Sequence, residues 1–283
     1  MENIMVKGRL LGMGNFAHVH LAYCRPFGGQ FAVKSVNSSL SSSLLMEETI
    51  LRRLRCSPDV VYCFGGYSTQ EGNGDSAYNL VLEYAAGGSL GRLMFSRTSG
   101  SPESEVQWYT RMIVRGLHAV HREGFVHCDL KLSNMLLFPT EDGRWRVKIA
   151  DFGLSKSENE APLDIWCLGC MVIEMFTGKP TWENCKDEND LILHIVFWRQ
   201  VPLIPENISE EAKDFLKKFY EPILGDVLTL DQGERGYGDR YFFHIYRKEI
   251  WIQAIIVPMN ARREELINPS DLGWNEKVDR GSR

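Results

Sequence analysis

A chain of 283 residues, 44% hydrophobic and 24% charged, has a globular composition and is long enough for one large two-lobed domain or two modest ones. Its net charge of −5 contains no long run of one sign, which excludes a basic face for a nucleic-acid backbone. The N-terminal "MENIMVKGRLLG" has no signal-peptide run, and the most apolar stretch, "LILHIVFW", is far below the roughly 20 residues that span a bilayer. The expectation is a cytoplasmic or nuclear monomer with neither membrane nor nucleic-acid partners. The seven scattered cysteines, an odd number, suit reduced thiols and not a disulfide framework.

In chain order, "GRLLGMGNFAHVHLAYC" and "GGQFAVKSV" alternate and are rich in Gly and Val, as paired strands are. "SSSLLMEETILRRL" carries Leu44, Leu45, Ile50, Leu51 and Leu54 near helical spacing, and its serines offer N-caps. "VVYCFGGYS" and "AYNLVLEYA" read as two more strands joined by the turn residues "EGNGDS". From "GGSLGRLM" onward the pattern is helical, most clearly in "EVQWYTRMIVRGLHAVHREG". Short strands follow at "NMLLF" and "WRVKIAD", then helices again. This order predicts an α+β fold with two lobes, residues 1–84 and 85–220, joined near Tyr84–Gly88. Beyond Tyr220, residues 221–283 form a divergent tail: "YFFHIYRKEIWIQAIIVP" is β-prone, the polar end suits disorder, and neither carries a motif.

Gly12 and Gly14 sit where a strand turns, with Ala17 in place of a third glycine. Such a turn lets backbone N–H groups approach phosphate oxygens, although a plain hairpin turn has the same appearance. Lys34 in "FAVK" lies on a strand expected to be central. It is either paired, with Glu47 on the next helix as the obvious partner, or a surface lysine with its head in water. "HCDLKLSN" is more specific. Asp129, Lys131 and Asn134 put a proton acceptor, a cation and a metal-binding amide in one loop, and Asp151 in "IADFG" adds a second hard oxygen ligand. Cys167 and Cys170 form a C-x-x-C inside an apolar helical stretch with no second pair, which suits core cysteines. His118 and His121, with no third ligand, suit surface and core positions and not a metal site.

The order G-x-G, A-V-K, helical Glu, H-x-D-L-K-x-x-N, D-F-G resembles the eukaryotic protein kinases, with a bilobal kinase-like fold of β-rich N-lobe and helical C-lobe. Within them, "GFVHCDLKLSN", "LVLEYAAGGSL" and "DIWCLGCMVIEMFTGKPTW" are similar to plant MAP kinase kinase kinases of the MEKK-like group. The likeness covers about Val6 to Phe219. The resemblance implies ATP and Mg²⁺ as cofactors and a protein substrate, a MAP kinase kinase. It implies that Gly12, Gly14 and Val19 cover ATP, that Ala32 and Leu136 sandwich the adenine, and that Leu82 is the gatekeeper. Glu83 and Ala85 would offer backbone hydrogen bonds, and Ser89 would complete the nucleotide-contacting set. Lys34, paired with Glu47, would hold the α- and β-phosphates. Asp129 would be the base, Lys131 would steady the γ-phosphate, Asn134 and Asp151 would bind Mg²⁺, and Asp164 would brace the catalytic loop.

Two parts of that pattern are missing. Between D-F-G and D-I-W only "LSKSENEAPL" remains where the family has an activation segment, and Ala161–Pro162 is not followed by Glu. After "ISEEAKDFLKKF" the family's arginine-bearing closing stretch is replaced by "YEPILGDVLTLD", so the C-lobe is expected to be incomplete. Cys128 stands where many kinases have Arg. The expected activity is phosphoryl transfer from ATP to Ser or Thr. The alternative is a catalytically impaired nucleotide-binding or scaffold protein, arising from splicing or a faulty gene model.

Overall fold

The computed structural model describes residues 5–14, 17–25, 28–70, 76–97, 99–157, 161–185, 190, 194 and 200–225. The divergent stretch after 225, most of the "EGNGDS" turn and nearly all of "LILHIVFW" lie outside the described residues.

The N-terminal part is one five-stranded antiparallel sheet in the order β1-β2-β3-β5-β4. Its strands are β1 (Met5–Met13), β2 (His18–Cys24), β3 (Gln30–Asn37), β4 (Cys63–Gln70) and β5 (Ser76–Glu83). β3 is central, between β2 and β5, so its alternation decides what faces the cleft. Ala32 and Lys34 share one face, while Val33 and Ser35 are buried on the other. Helix α1 (Ser42–Arg53) buries Leu44, Glu47, Glu48 and Leu51, a single helical stripe with carboxylates at its centre.

The serine caps expected for α1 do not form. Ser41 already has helical backbone angles and makes no side-chain cap bond. A one-turn 3-10 helix, Ser38–Leu40, runs into α1, and Asn37 caps that turn instead. Capping requires a non-helical backbone at the cap residue, which the preceding turn denies to Ser41.

The second part is helical around a small hairpin. Helix α2 (Leu90–Phe95) precedes the long α3 (Glu103–Arg122), whose stripe of Val106, Tyr109, Ile113, Leu117 and Val120 is buried. Glu103 and Glu105 in its first turn complement the helix dipole, and Gly124, at φ 80°, ends it in the left-handed region. The hairpin of β6 (Met135–Pro139) and β7 (Trp145–Ile149) packs on α3. Helix α4 (Ala161–Thr177) and helix α5 (Glu210–Gly225) follow, joined by an edge-to-face contact of Trp166 and Tyr220 at 5.1 Å. One hydrophobic core runs through both parts, from Ile50 and Leu80 to Ile113, Met135 and Met171. No described helix is long and apolar enough to cross a membrane.

Candidate active site

The cleft between the sheet and the helices collects three stretches that are distant in sequence. Lys34 Nζ lies 2.7 Å from Glu47 Oε2 and 2.8 Å from Asp151 Oδ1, a residue 117 positions later. The lysine is paired, not a surface residue: its side chain is 14% exposed, and that of Glu47 is 1%. Glu47 also accepts the Phe152 N–H at 3.2 Å, so one carboxylate grips both the lysine and the turn after β7. Burial opposes the Lys34 ammonium, but Glu47 and Asp151 outweigh it and hold it above its ordinary value. For Asp151, burial is likewise outweighed by Lys34, and the carboxyl is held below the usual range. Burial pushes Glu47 up despite Lys34. Lys34 thus makes ion pairs with both carboxylates, Glu47 at 2.7 Å and Asp151 at 2.8 Å, and burial penalises Glu47 the most. Removing one member of a buried pair strands the other, at about 3–5 kcal/mol.

The loop after α3 is fixed from two sides. Val126 exchanges backbone hydrogen bonds with Lys156, at 2.9 and 3.0 Å. His127 is fully buried, its ring 4.8 Å from that of Phe152. Its Nε2 donates to the Ala150 carbonyl at 3.1 Å, and its Nδ1 accepts the Asp129 N–H at 3.2 Å. Burial holds His127 below its ordinary value, so the neutral ring has the one donor and one acceptor that these bonds need. Underneath lies Asp164 in the first turn of α4, completely buried. It accepts the His127 N–H at 2.8 Å and the Cys128 N–H at 3.0 Å, and contacts His121 Nε2 at 2.7 Å. Cys128 (φ 62°) and Asp151 (φ 68°) are the two non-glycine residues with left-handed backbones among the described residues. Each such residue costs about 1–3 kcal/mol and persists only where its surroundings hold it. The Asp164 bond to the Cys128 N–H and the Lys34 bond to Asp151 supply that hold.

Asp129 is partly exposed and held through both its oxygens. Both its oxygens accept from Lys131 Nζ, at 2.9 and 2.8 Å, and Asn134 Nδ2 donates to its Oδ2 and to its carbonyl, each at 2.9 Å. With its amide nitrogen engaged, Asn134 keeps its carbonyl oxygen as the remaining polar atom. The Asn134 backbone carbonyl accepts the Ala150 N–H at 2.9 Å, which sets Asn134 opposite the residue before Asp151. An amide oxygen next to a carboxylate is a donor set for a hard divalent cation, not for a soft metal.

The upper wall is formed by the first hairpin of the sheet and by β3 and β5. Gly12 pairs with Val19, and the Gly14 N–H donates to the Ala17 carbonyl at 2.8 Å. A Cβ added at Gly12 would meet nothing within 4 Å, and at Gly14 only the Ala17 carbonyl at 3.8 Å. Neither glycine is required by packing or by a left-handed backbone, so the backbone at this turn stands open. Ala32 lies beside the buried Leu82 in the β3–β5 register. Ser89 and Leu136 come together as an antiparallel bridge, flanked by Gly87 N–H donating to the Leu137 carbonyl and Leu137 N–H to the Gly88 carbonyl, while the Ala85 carbonyl accepts the Gly88 N–H at 3.1 Å.

Two expected contacts are modified. The Ser89 hydroxyl accepts the Arg92 N–H as the N-cap of α2. The Glu83 N–H already donates to the Tyr62 carbonyl at 3.0 Å, leaving only its carbonyl for a ligand. Cys167 and Cys170 are free thiols and half-buried, less enclosed than expected, and burial pushes Cys167 up to about 12. His118 is exposed and His121 belongs to the Asp164 clasp. The His121 contact and the structural role of His127 have no motif of their own in the sequence. The histidine before Cys128 was the available signal for the latter. Away from these motifs, Cys185, Asp190 and His194 come within 4.8 Å of one another, with His194 Nδ1 also 2.6 Å from Gln200 Oε1.

Comparison with known proteins agrees with this geometry. The family profile described as protein kinase domain matches residues 5–162. Mitogen-activated protein kinase kinase kinase 20 of Arabidopsis thaliana is 38% identical over 251 residues, covering 76% of this chain and 72% of that protein. Kinase kinase kinase 17 of the same plant is 35% identical, covering 75% of this chain and 63% of that protein. The kinase kinase kinase YODA is 32% identical, with 75% of this chain matched to 26% of its length. The aligned length of 251 residues exceeds 76% of a 283-residue chain, so the first relative has residues with no counterpart here.

Proposed function

The chain belongs to the protein kinase domain family, on its serine/threonine side, and from that premise we propose that it transfers the γ-phosphate of ATP to a Ser or Thr hydroxyl of another kinase, a MAP kinase kinase, with Mg²⁺ as the metal. The observation that carries this reading is Lys34 held at once by Glu47 and Asp151, which joins the sheet, α1 and the turn after β7 into one phosphate-binding corner. Lys34 binds and orients phosphate oxygens. Asp129, aimed by Asn134, accepts the proton of the attacking hydroxyl, and Lys131 offsets the charge beside it. Asn134 and Asp151 would hold the metal. When bound, Mg²⁺ supplies the positive charge that neutralises phosphate oxygens. Gly12, Gly14, Val19, Ala32, Ala85 and Leu136 enclose the nucleotide and exclude water, and the Glu83 carbonyl faces it. A cytoplasmic location and the lobe boundary near residues 84–85 belong to the same proposal.

One observation favours a second reading. Lys156 is still paired with Val126, and α4 begins at Ala161, so residues 157–160 alone connect the turn after Asp151 to the helix that carries Asp164. That leaves no length for a peptide-docking segment. Positioning of both reactants can contribute roughly 7–11 kcal/mol to such a reaction, and only the nucleotide half of it is provided for here. On this reading the chain binds nucleotide and serves as a scaffold.

The deciding experiment is transfer from γ-labelled Mg-ATP to the protein itself and to a MAP kinase kinase, with Asp129→Ala as control and nucleotide affinity measured in parallel. Transfer lost in the control supports the kinase reading. Nucleotide binding without transfer above the control overturns it in favour of the scaffold.

A further inference from the structure

The motifs leave one interlobe contact unused. Glu83, the last residue of β5, directs its carboxylate away from the cleft motifs: Lys148 Nζ lies 2.6 and 2.7 Å from its two oxygens. Glu83 Oε1 also accepts the Tyr62 N–H at 2.7 Å. The pair is enclosed, with side chains 20% and 16% exposed, and Lys148 also lies over the Phe138 ring at 4.7 Å. It is therefore better shielded from solvent than a surface salt bridge.

Its position in the chain gives it leverage. Glu83 directly precedes residues 84–88, the linker between sheet and helices. Lys148 stands in β7, three residues before Asp151. Between them the backbone is stitched: Ile149 N–H donates to the Asp59 carbonyl, and Val61 N–H to the Ile149 carbonyl, each at 2.9 Å. Any rotation of the lobes about the linker stretches this contact, and any shift of β7 carries Asp151 away from Lys34.

We infer that the Glu83–Lys148 pair, seated on the Tyr62 N–H, is a positioning brace that fixes the linker against β7 and so sets how firmly Asp151 is presented to Lys34 and how slowly the cleft releases its ligand. Neither side chain is catalytic, and the last clause rests on the nucleotide-binding reading above. The brace is made in the same conformation as the Lys34–Glu47 and Lys34–Asp151 contacts, so it favours the closed cleft. Its loss opens the cleft more often.

The test compares wild type with Lys148→Met, which keeps the aliphatic stem over Phe138, and with Lys148→Arg, which keeps the charge. The first readout needs no nucleotide: amide hydrogen exchange at Gly87, Ala150 and Phe152, whose N–H groups are all hydrogen-bonded in the closed cleft. Expected is faster exchange at these three positions in Lys148→Met, unchanged exchange in α3, and near wild-type behaviour in Lys148→Arg. The second readout is the Mg-ATP dissociation constant, expected to rise about threefold to tenfold in Lys148→Met, chiefly through faster release. Unchanged exchange at the three positions would overturn the inference. So would exchange raised equally throughout α3, or Lys148→Arg behaving like Lys148→Met. If Lys148→Met does not fold, Glu83→Gln decides in the same way, since it keeps an oxygen for the Tyr62 N–H. A wild type that binds no nucleotide would defeat the functional reading, while the exchange comparison still judges the brace.

Discussion

His127 shows how much a single side chain does without touching a substrate. Its neutral ring links Ala150, just before Asp151, to the N–H of Asp129, so two motifs share one imidazole. Burial depresses its proton affinity below the ordinary 6.5. The sign follows directly: below 6.5 the unfolded chain takes up a proton that the folded chain refuses, and stability falls as pH falls until the folded ring also titrates. Above 6.5 the residue has no pH effect. Thermal unfolding between pH 7 and 5 should therefore lose stability more steeply in wild type than in His127→Asn. The difference is at most about 1.4 kcal/mol per pH unit, the slope of one proton. Equal slopes would show that the ring is not held neutral. Residues of this kind were only half legible in the sequence. Lys34 and Glu47 could be paired because a central-strand lysine needs a carboxylate and the following helix offers one. Glu83 and Lys148 could not, because they are 65 positions apart and neither stands in a motif whose chemistry demands a partner.

The elements were legible wherever hydrophobic period and a terminator agreed. Helix α3 has a clean apolar stripe and a glycine just beyond its end, and both appear where the sequence put them. The start of α1 misled because a run of serines offers several capping candidates, and the choice was made by the 3-10 turn in front of it. Close approaches between elements were not legible at all. Gly116 on α3 is an example: a Cβ there would lie 2.6 Å from the Asp59 carbonyl and 2.9 Å from Ile149 Cδ1. That carbonyl receives the Ile149 N–H, so it cannot retreat without disturbing β7. Gly116→Ala should destabilise the protein by about 1–3 kcal/mol through overpacking, although alanine is the better helix former. A urea titration would register this as a lower midpoint at unchanged slope. An unchanged midpoint would mean that the backbone yields more easily than this packing suggests.

At the scale of the whole molecule, cleft and core are one body, and a ligand held by both lobes should stabilise all of it. Mg-ATP at a hundred times its dissociation constant should contribute about 2.7 kcal/mol. For a domain of this size that raises the unfolding temperature by roughly 5–10 °C, and Lys34→Met should abolish the rise. A rise that survives in Lys34→Met would place the nucleotide elsewhere. The overall α+β architecture was legible because strand-period segments dominate the first 84 residues, with one helix among them, and helix-period segments dominate the rest, with one hairpin among them. The short join between Lys156 and Ala161 was legible too, as a gap between two motifs. That join also bears on the order in which the protein assembles. Asp164 reaches His127 and His121 across 37 and 43 residues, whereas Lys34 reaches Asp151 across 117 and Glu47 reaches Phe152 across 105. Closing the shorter loops costs less chain entropy, and a direct join keeps them short. On this ground the Asp164 clasp is expected to form early in folding and the Lys34–Glu47–Asp151 corner late, which amide-exchange labelling during refolding would check by earlier protection of His127 than of Phe152.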